Sequence, residues 1–507
     1  MSNARRVLFL QLGWLVACGT PAAPSDGGLD AIALDAGVDA APLDAGAPDT
    51  SPDAWVLTPP DIVRTMTEAQ LAPQRAACAF QAGAWPAETL GTEMPIGHDI
   101  PIDHVIVVMQ ENRAFDHYLG RLVAQGYYAA GDFTPGGSGF MHHDQLDVDP
   151  PGWSNPDGMG GTVVPHPDDE YCFGASHGWN DQHGYWDNGL NDGFVIGNNP
   201  DGQRVMFYED DTVIPFYYAL ASTFSIGDRY FCSVMSSTWP NRFFMMAGTS
   251  FGIGDNSFDT MDTAAHPSPQ IFSMLEEGGH TWGDYTDGPH QVLFFPHFGS
   301  RTATLAHFGD VHCNLMTAIQ NDTLPDVAFM MGDEVGGQSS DEGPVDLPGI
   351  GGLVVEQLIR ALFASPAWAH TAVFITYDEN GGMADHVPPA AACPPDSLAP
   401  HDGHGNPLPG AFDHTGFRVP FIVVSPHARA HYVSHTTYDH TSVLRFIEAR
   451  FGLPALTARD ANATPPMELF DFASPPFMTP PTIAAHTTVD PAILSRCSQA
   501  LAPMGCP

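Results

Sequence analysis

Between Thr371 and Pro389 the chain passes from an apolar run, Ala372–Thr376, into Asp378-Glu379, two glycines, and Asp385-His386 ahead of a double proline. The run is β-branched and aromatic over too few residues for a helix, and it reads as a buried parallel strand. Its two acids then sit at the C-terminal tip, the edge of an open α/β sheet where loops splay into a ligand-binding crevice. Gly381 and Gly382 permit a hard turn. That turn is expected to bring Asp385 and His386 back toward the acids, so that the whole stretch forms a hard-cation site. An acidic pair alone is more often a solvated loop; the strand in front of it is what argues for a site.

The same pattern recurs earlier in the chain. His104–Met109 reads as a second buried strand, ending in Gln110-Glu111-Asn112-Arg113 before the helix-like Ala114–Leu119. Val327–Met331 and Val419–Ser425 are further strand candidates. Ile214–Ser222, Leu353–Phe363 and Ser442–Phe451 read as helices, the last with Asp439 or Thr441 near its cap, and Thr65–Ala79 holds a short one. Strands alternating with helices predict an α/β fold, a predominantly parallel central sheet with helices on both faces. Residues 131–200, rich in Gly, Asp, His, Asn and Pro, predict a long functional loop or a small excursion.

The chain has 507 residues and a formal charge of −42, and all 17 of its basic residues are Arg. Nucleic acid is excluded as a partner, because binding it needs a basic stripe to replace phosphate counterions. A divalent cation suits the balance better. At the N-terminus Arg5 and Arg6 precede an apolar run, Val7–Ala17, too short to span a bilayer but suited to a signal peptide. Leu15-Val16-Ala17-Cys18 is similar to a bacterial lipobox, which makes 1–18 a lipoprotein signal and a lipidated Cys18 the membrane anchor; a plain secretory signal is the alternative. Either exports the protein, to the periplasm or cell surface or into the medium. Residues 19–60, dominated by Ala, Asp, Gly and Pro, predict a disordered tether. Residues 61–507 are then the catalytic domain. In an oxidising compartment some of the remaining seven cysteines should pair. Cys497 with Cys506 is the easiest pair to propose, and Cys232 the expected buried free thiol.

Ser236-Ser237-Thr238-Trp-Pro-Asn-Arg242 places hydroxyls before a helix-like Phe-Phe-Met-Met-Ala. A hydroxyl at a helix N-terminus can face an anion, and a capped helix with no chemistry fits equally well.

Taken together, Glu-Asn-Arg-x-Phe-Asp-His-Tyr at 111–118, Thr-x-Pro-Asn-Arg at 238–242, Asp-Glu-x-Gly-Gly-x-x-Asp-His-Val-Pro-Pro at 378–389 and Arg-Val-Pro-Phe-Ile-Val-Val-Ser-Pro at 418–426 resemble the bacterial phosphoesterase family. Tyr438–Glu448 extends the match, so the motifs run over about 100–463. That family groups phospholipases C of the non-haemolytic type with acid phosphatases and has the alkaline-phosphatase-like fold. The resemblance implies a phosphoester hydrolase, with a phospholipid or a soluble phosphate ester as substrate. It places Thr238 as nucleophile and Glu111, Asn112, Asp378, Glu379 and Thr238 around a divalent metal ion. A threonine hydroxyl is too weak an acid to attack phosphorus unaided, and coordination to a cation is the natural activation. His386 and His177 can donate to phosphoryl oxygens or to the leaving alkoxide.

The chain departs from the pattern at one point. Family members often carry Asp-Glu-His-Pro where this chain has Asp341-Glu-Gly-Pro344, so an expected histidine is Gly343. Two other readings stay open: a sulfatase-like hydrolase, although Thr238 stands where sulfatases carry a modified Cys or Ser, and a surface-binding lipoprotein whose site has decayed.

Overall fold

The computed structural model describes residues 59–128, 153–168, 174–256, 270–286, 290–295, 307–332 and 349–488, with a few single positions such as Glu342. The expected leader, most of the tether and the Cys497–Cys506 pair lie outside the described residues.

Eight strands make one sheet: β1 (His104–Gln110), β2 (Ser225–Gly227), β3 (Trp282–Thr286), β4 (Phe308–Gly309), β5 (Val327–Met331), β6 (Thr371–Tyr377), β7 (Ile422–Val424) and β8 (Tyr432–Ser434). Their order is β8-β2-β7-β6-β1-β5-β3-β4. Every pairing is parallel except the two made by β7. Val105–Met109 and Ala372–Ile375 are buried throughout, as central strands covered on both faces must be. The expected strand Val419–Ser425 shrinks to β7 and runs antiparallel. Pro420 cannot donate to a ladder, and pairing begins only after it.

Seven helices matter to the argument: α1 (Glu68–Ala76), α2 (Phe115–Leu119), α3 (Trp179–Trp186), α4 (Pro215–Thr223), α5 (Thr238–Ala247), α6 (Ile350–Phe363) and α7 (His440–Phe451). At α7 the Asp439 side chain accepts from Thr441 N, so the cap falls where Ser/Thr/Asp chemistry puts it. α5 begins at Thr238, with Ser237 as its N-cap residue, and stops at Gly248 with φ of 70°. The described part of 131–200 is a small excursion with its own apolar cluster, where Tyr185, Phe194, Val195 and Met206 pack with Ala384 and Phe417 of the main domain.

Cys78 and Cys393 form a disulfide across 315 residues. Cys232 is buried and in no disulfide.

Candidate active site at the tips of two parallel strands

The register of β1 against β6 ends at Gln110 opposite Tyr377, and Asp378 N then donates to Gln110 O at 2.9 Å. Glu111-Asn112 and Asp378-Glu379 therefore leave the sheet side by side. Asn112 turns with φ of 66°, its N–H donating to Asp378 Oδ1 at 3.0 Å. Gly381 takes φ of 63° in turn, and a Cβ there would come within 2.5 Å of Asn112 O. Only glycine lets the two tips approach this closely.

α5 meets these tips through Arg242, one turn after Thr238. Its NH2 group lies 2.5 Å from Glu111 Oε1 and its Nε 3.4 Å from Asp378 Oδ2. Gln182, on α3, ties the same parts together, donating to Ser236 O at 2.8 Å and to Glu379 Oε2 at 3.2 Å. His177 Nδ1 lies 2.7 Å from Ala175 O, and its Nε2 stands 3.7 Å from Glu379 Oε1.

Asn112 Oδ1, Asp378 Oδ2 and Glu379 Oε1 are buried and have no hydrogen-bond partner. Buried acceptors are nearly always satisfied, so three at adjoining strand tips fit a cation-binding set. Oxygen donors of this kind suit a hard or borderline divalent ion. Burial first, then Glu111, pushes the Asp378 carboxyl well up; burial likewise raises Glu379. Without a cation both acids resist ionising. The Arg242 guanidinium reaches both Glu111 and Asp378, and the tight clusters of His, Asp and Glu found among the described residues are Asp116-Asp385-His386 and His117-Asp168-Glu209.

Asp385 and His386, expected at the same cation site, meet Asp116 and Arg418. They bond into a separate network: His386 Nδ1 lies 2.7 Å from Asp116 Oδ2, while Arg418 spans Asp116 Oδ1 and Asp385 Oδ1 at 2.8 Å each. The cation among these acids is a guanidinium. Gly382 takes φ of 73°, and a Cβ there would run into Ser176 O. What the network does is hold His386. Burial pulls the imidazole down, but Asp116 more than offsets it and leaves the pKa raised.

Three further positions matter to which the sequence alone assigns no role. Asp116 orients His386, Gln182 bridges Glu379 to the α5 approach, and His440 Nε2 bonds Asp378 O at 2.8 Å. Burial lowers the His440 pKa to about 4, so it stays neutral. Gly343 lies outside the described residues; beside it Glu342 is buried and accepts from Tyr377 Oη at 2.5 Å.

The model of the Phosphoesterase family matches residues 102–454. Non-hemolytic phospholipase C of Burkholderia pseudomallei is 32% identical over 72% of this chain and 57% of its own length. This chain therefore spans little more than half of that relative. Phospholipase C B of Mycobacterium tuberculosis is 31% identical over 81% of this chain and 86% of that protein. Non-specific phospholipase C1 of Arabidopsis thaliana is 30% identical over 72% and 70%. Among solved structures, human ectonucleotide pyrophosphatase/phosphodiesterase 5 aligns over 48% of this chain and 90% of that one at 13% identity, with a TM-score of 0.31, too low to argue from.

Proposed function

The chain belongs to the phosphoesterase family, and from that premise we propose that it hydrolyses phosphoric esters at the tips of β1 and β6. Thr238 is the nucleophile; Glu111, Asn112, Asp378 and Glu379 hold a divalent metal ion with it. The observation that carries this reading is the set of three buried oxygens without hydrogen bonds where two parallel strands end. When bound, the ion makes the threonine hydroxyl acidic enough to attack and neutralises charge on the phosphoryl oxygens.

The protein's own groups do the rest. Thr238 sits at the first position of a ten-residue helix, whose positive end favours an incoming phosphate. Arg242, fixed by Glu111 and Asp378, adds a permanent cation beside the same oxygens. His386, kept protonated by Asp116, is the proton donor for the leaving alkoxide, and His177 is a second imidazole at the Glu379 edge.

A phospholipid is the substrate that the relatives' names favour, and the excursion that carries His177 also exposes Met159, Val164, Leu190 and Ile196. Export, with an anchor at a lipidated Cys18, agrees with a disulfide in the fold. The test is a panel of phosphatidylcholine vesicles, phosphatidylethanolamine vesicles, an aryl phosphodiester and an aryl phosphomonoester, each with and without chelator. Turnover of at least one that stops with chelator and returns on adding Zn²⁺, Mn²⁺ or Ca²⁺ is expected. Full activity in metal-free protein would overturn the assignment of the strand-tip site.

A further inference from the structure

Asp116 and His117 are neighbours on α2 and serve different groups. His117 is buried completely, neither ring nitrogen has a hydrogen-bond partner, and Nε2 stands 3.7 Å from Glu209 Oε1, which also has none. Asp168 completes the group: one ligand atom from each of His117, Asp168 and Glu209 lies within 4.8 Å of the others. Leaving a buried imidazole unsatisfied costs free energy. Burial first, then the Arg113 guanidinium, hold His117 neutral, so it turns lone-pair density toward carboxylate oxygen. A cation among them relieves that repulsion.

The Glu209 and Asp168 side chains lie within hydrogen-bond reach of each other, and burial first, then the charge of Asp168, pushes the Glu209 carboxyl well above its usual range, as expected of two buried acids with no cation between them. The backbone already holds the three segments in place: Glu209 N donates to His117 O at 2.7 Å, and Asp168 N to Tyr208 O at 3.0 Å.

We propose that His117, Asp168 and Glu209 form a second, structural metal site that binds one divalent first-row ion, Zn²⁺ or Mn²⁺. One imidazole nitrogen with two carboxylate oxygens is a donor set for such ions. It shares no residue with the strand tips. Its effect is to pin α2 to the paired segments His166–Pro167 and Phe207–Tyr208, and so to fix Asp116 where His386 needs it. The inference does not depend on which ester the enzyme cleaves.

The experiment uses full-length Asp378→Asn/Glu379→Gln protein, in which the strand-tip site is disabled. After purification in Zn²⁺ and dialysis, metal analysis should find one equivalent per chain. Zn²⁺ returned to the chelator-stripped protein should raise Tm by roughly 3 °C and saturate at one equivalent. Adding Glu209→Gln should reduce bound Zn²⁺ at least tenfold and abolish the rise; the half-buried Asp168→Asn replaces it should that variant not fold. No saturable Zn²⁺ in the double variant, or a full equivalent retained in both cluster variants, overturns the site. Loss of turnover in the double variant bears only on the strand tips, so the two readings fail separately.

Discussion

His386 Nδ1 lies 2.7 Å from Asp116 Oδ2, and the same oxygen accepts the His386 backbone N–H at 2.8 Å. One carboxylate oxygen thus fixes the ring's position and its protonation. The partner's charge raises the pKa against the pull of burial, so the proton is held to higher pH than on an ordinary imidazole and lost as pH climbs past the raised value. For a general acid that loss is the alkaline limb of the kcat profile.

Asp116→Asn keeps the shape and removes the charge. The alkaline limb should move to lower pH, and kcat at pH 8 should fall by about 10²-fold, within the range for general-acid help. A pH–rate profile on an alkyl phosphoester decides it; a limb that stays put would exclude His386 as the proton donor.

Thr238 is the first residue of α5 and is nearly buried. Thr238→Ala deletes a hydroxyl and a methyl without touching the central core, so Tm should change little while kcat/KM drops by about 10³-fold or more. Thr238→Ser retains the oxygen and should keep measurable turnover. Alanine and serine variants of equal activity would remove the hydroxyl from the mechanism.

The disulfide ties the segment after α1 to the loop that follows His386. Cross-linking residues so far apart in sequence restricts the unfolded chain most, and losing such a bond typically costs about 2–5 kcal/mol. Cys78→Ser/Cys393→Ser should therefore unfold at distinctly lower urea than the parent, with no change in the parent's stability on adding reductant only if the bond never forms. Equal midpoints for parent and variant under oxidising conditions would remove the bond as a stabilising link and, with it, this support for export.

How much of this was legible follows from what is local. β1 and β6 announce themselves as short runs buried on both faces, and their acids fall at the tips because a parallel strand has a defined end. The crossing partners are not local: Asp116 and His386 are 270 residues apart, and Arg418 reaches both Asp116 and Asp385 from a third segment. The glycines at 381 and 382 signalled a turn but not its destination. A Cβ at 381 or 382 would meet Asn112 O or Ser176 O, neither encoded near them, and Asp385 pairs with Arg418 from yet another segment. Gln182 acts from a helix face that looks ordinary in sequence, where a glutamine is usually just solvated.

The excursion carries the last prediction, which separates a lipid surface from a soluble ester. Met159 and Leu190 are 86% and 69% exposed, with Val164 and Ile196 more than half or nearly half so. Asn199 Nδ2 donates to Asp157 O at 3.2 Å, and a Cβ at Gly158 would lie 3.5 Å from Ile196 Cγ1, so the turn bearing Met159 rests against the helix Phe194–Gly197. Burying two such side chains in a bilayer interface is worth about 1.5–3 kcal/mol each at full burial. Leu190→Asp/Ile196→Asp should then cut turnover of phosphatidylcholine vesicles at least tenfold and leave an aryl phosphodiester untouched. The formal charge of −42 adds a salt dependence: vesicles with anionic lipid should be cleaved more slowly than zwitterionic ones at low ionic strength, and the gap should close as salt screens it. Equal losses on vesicles and on the soluble ester would mean that the substitutions disturb the site, and no loss on either would leave the apolar side chains without a part in reaching substrate.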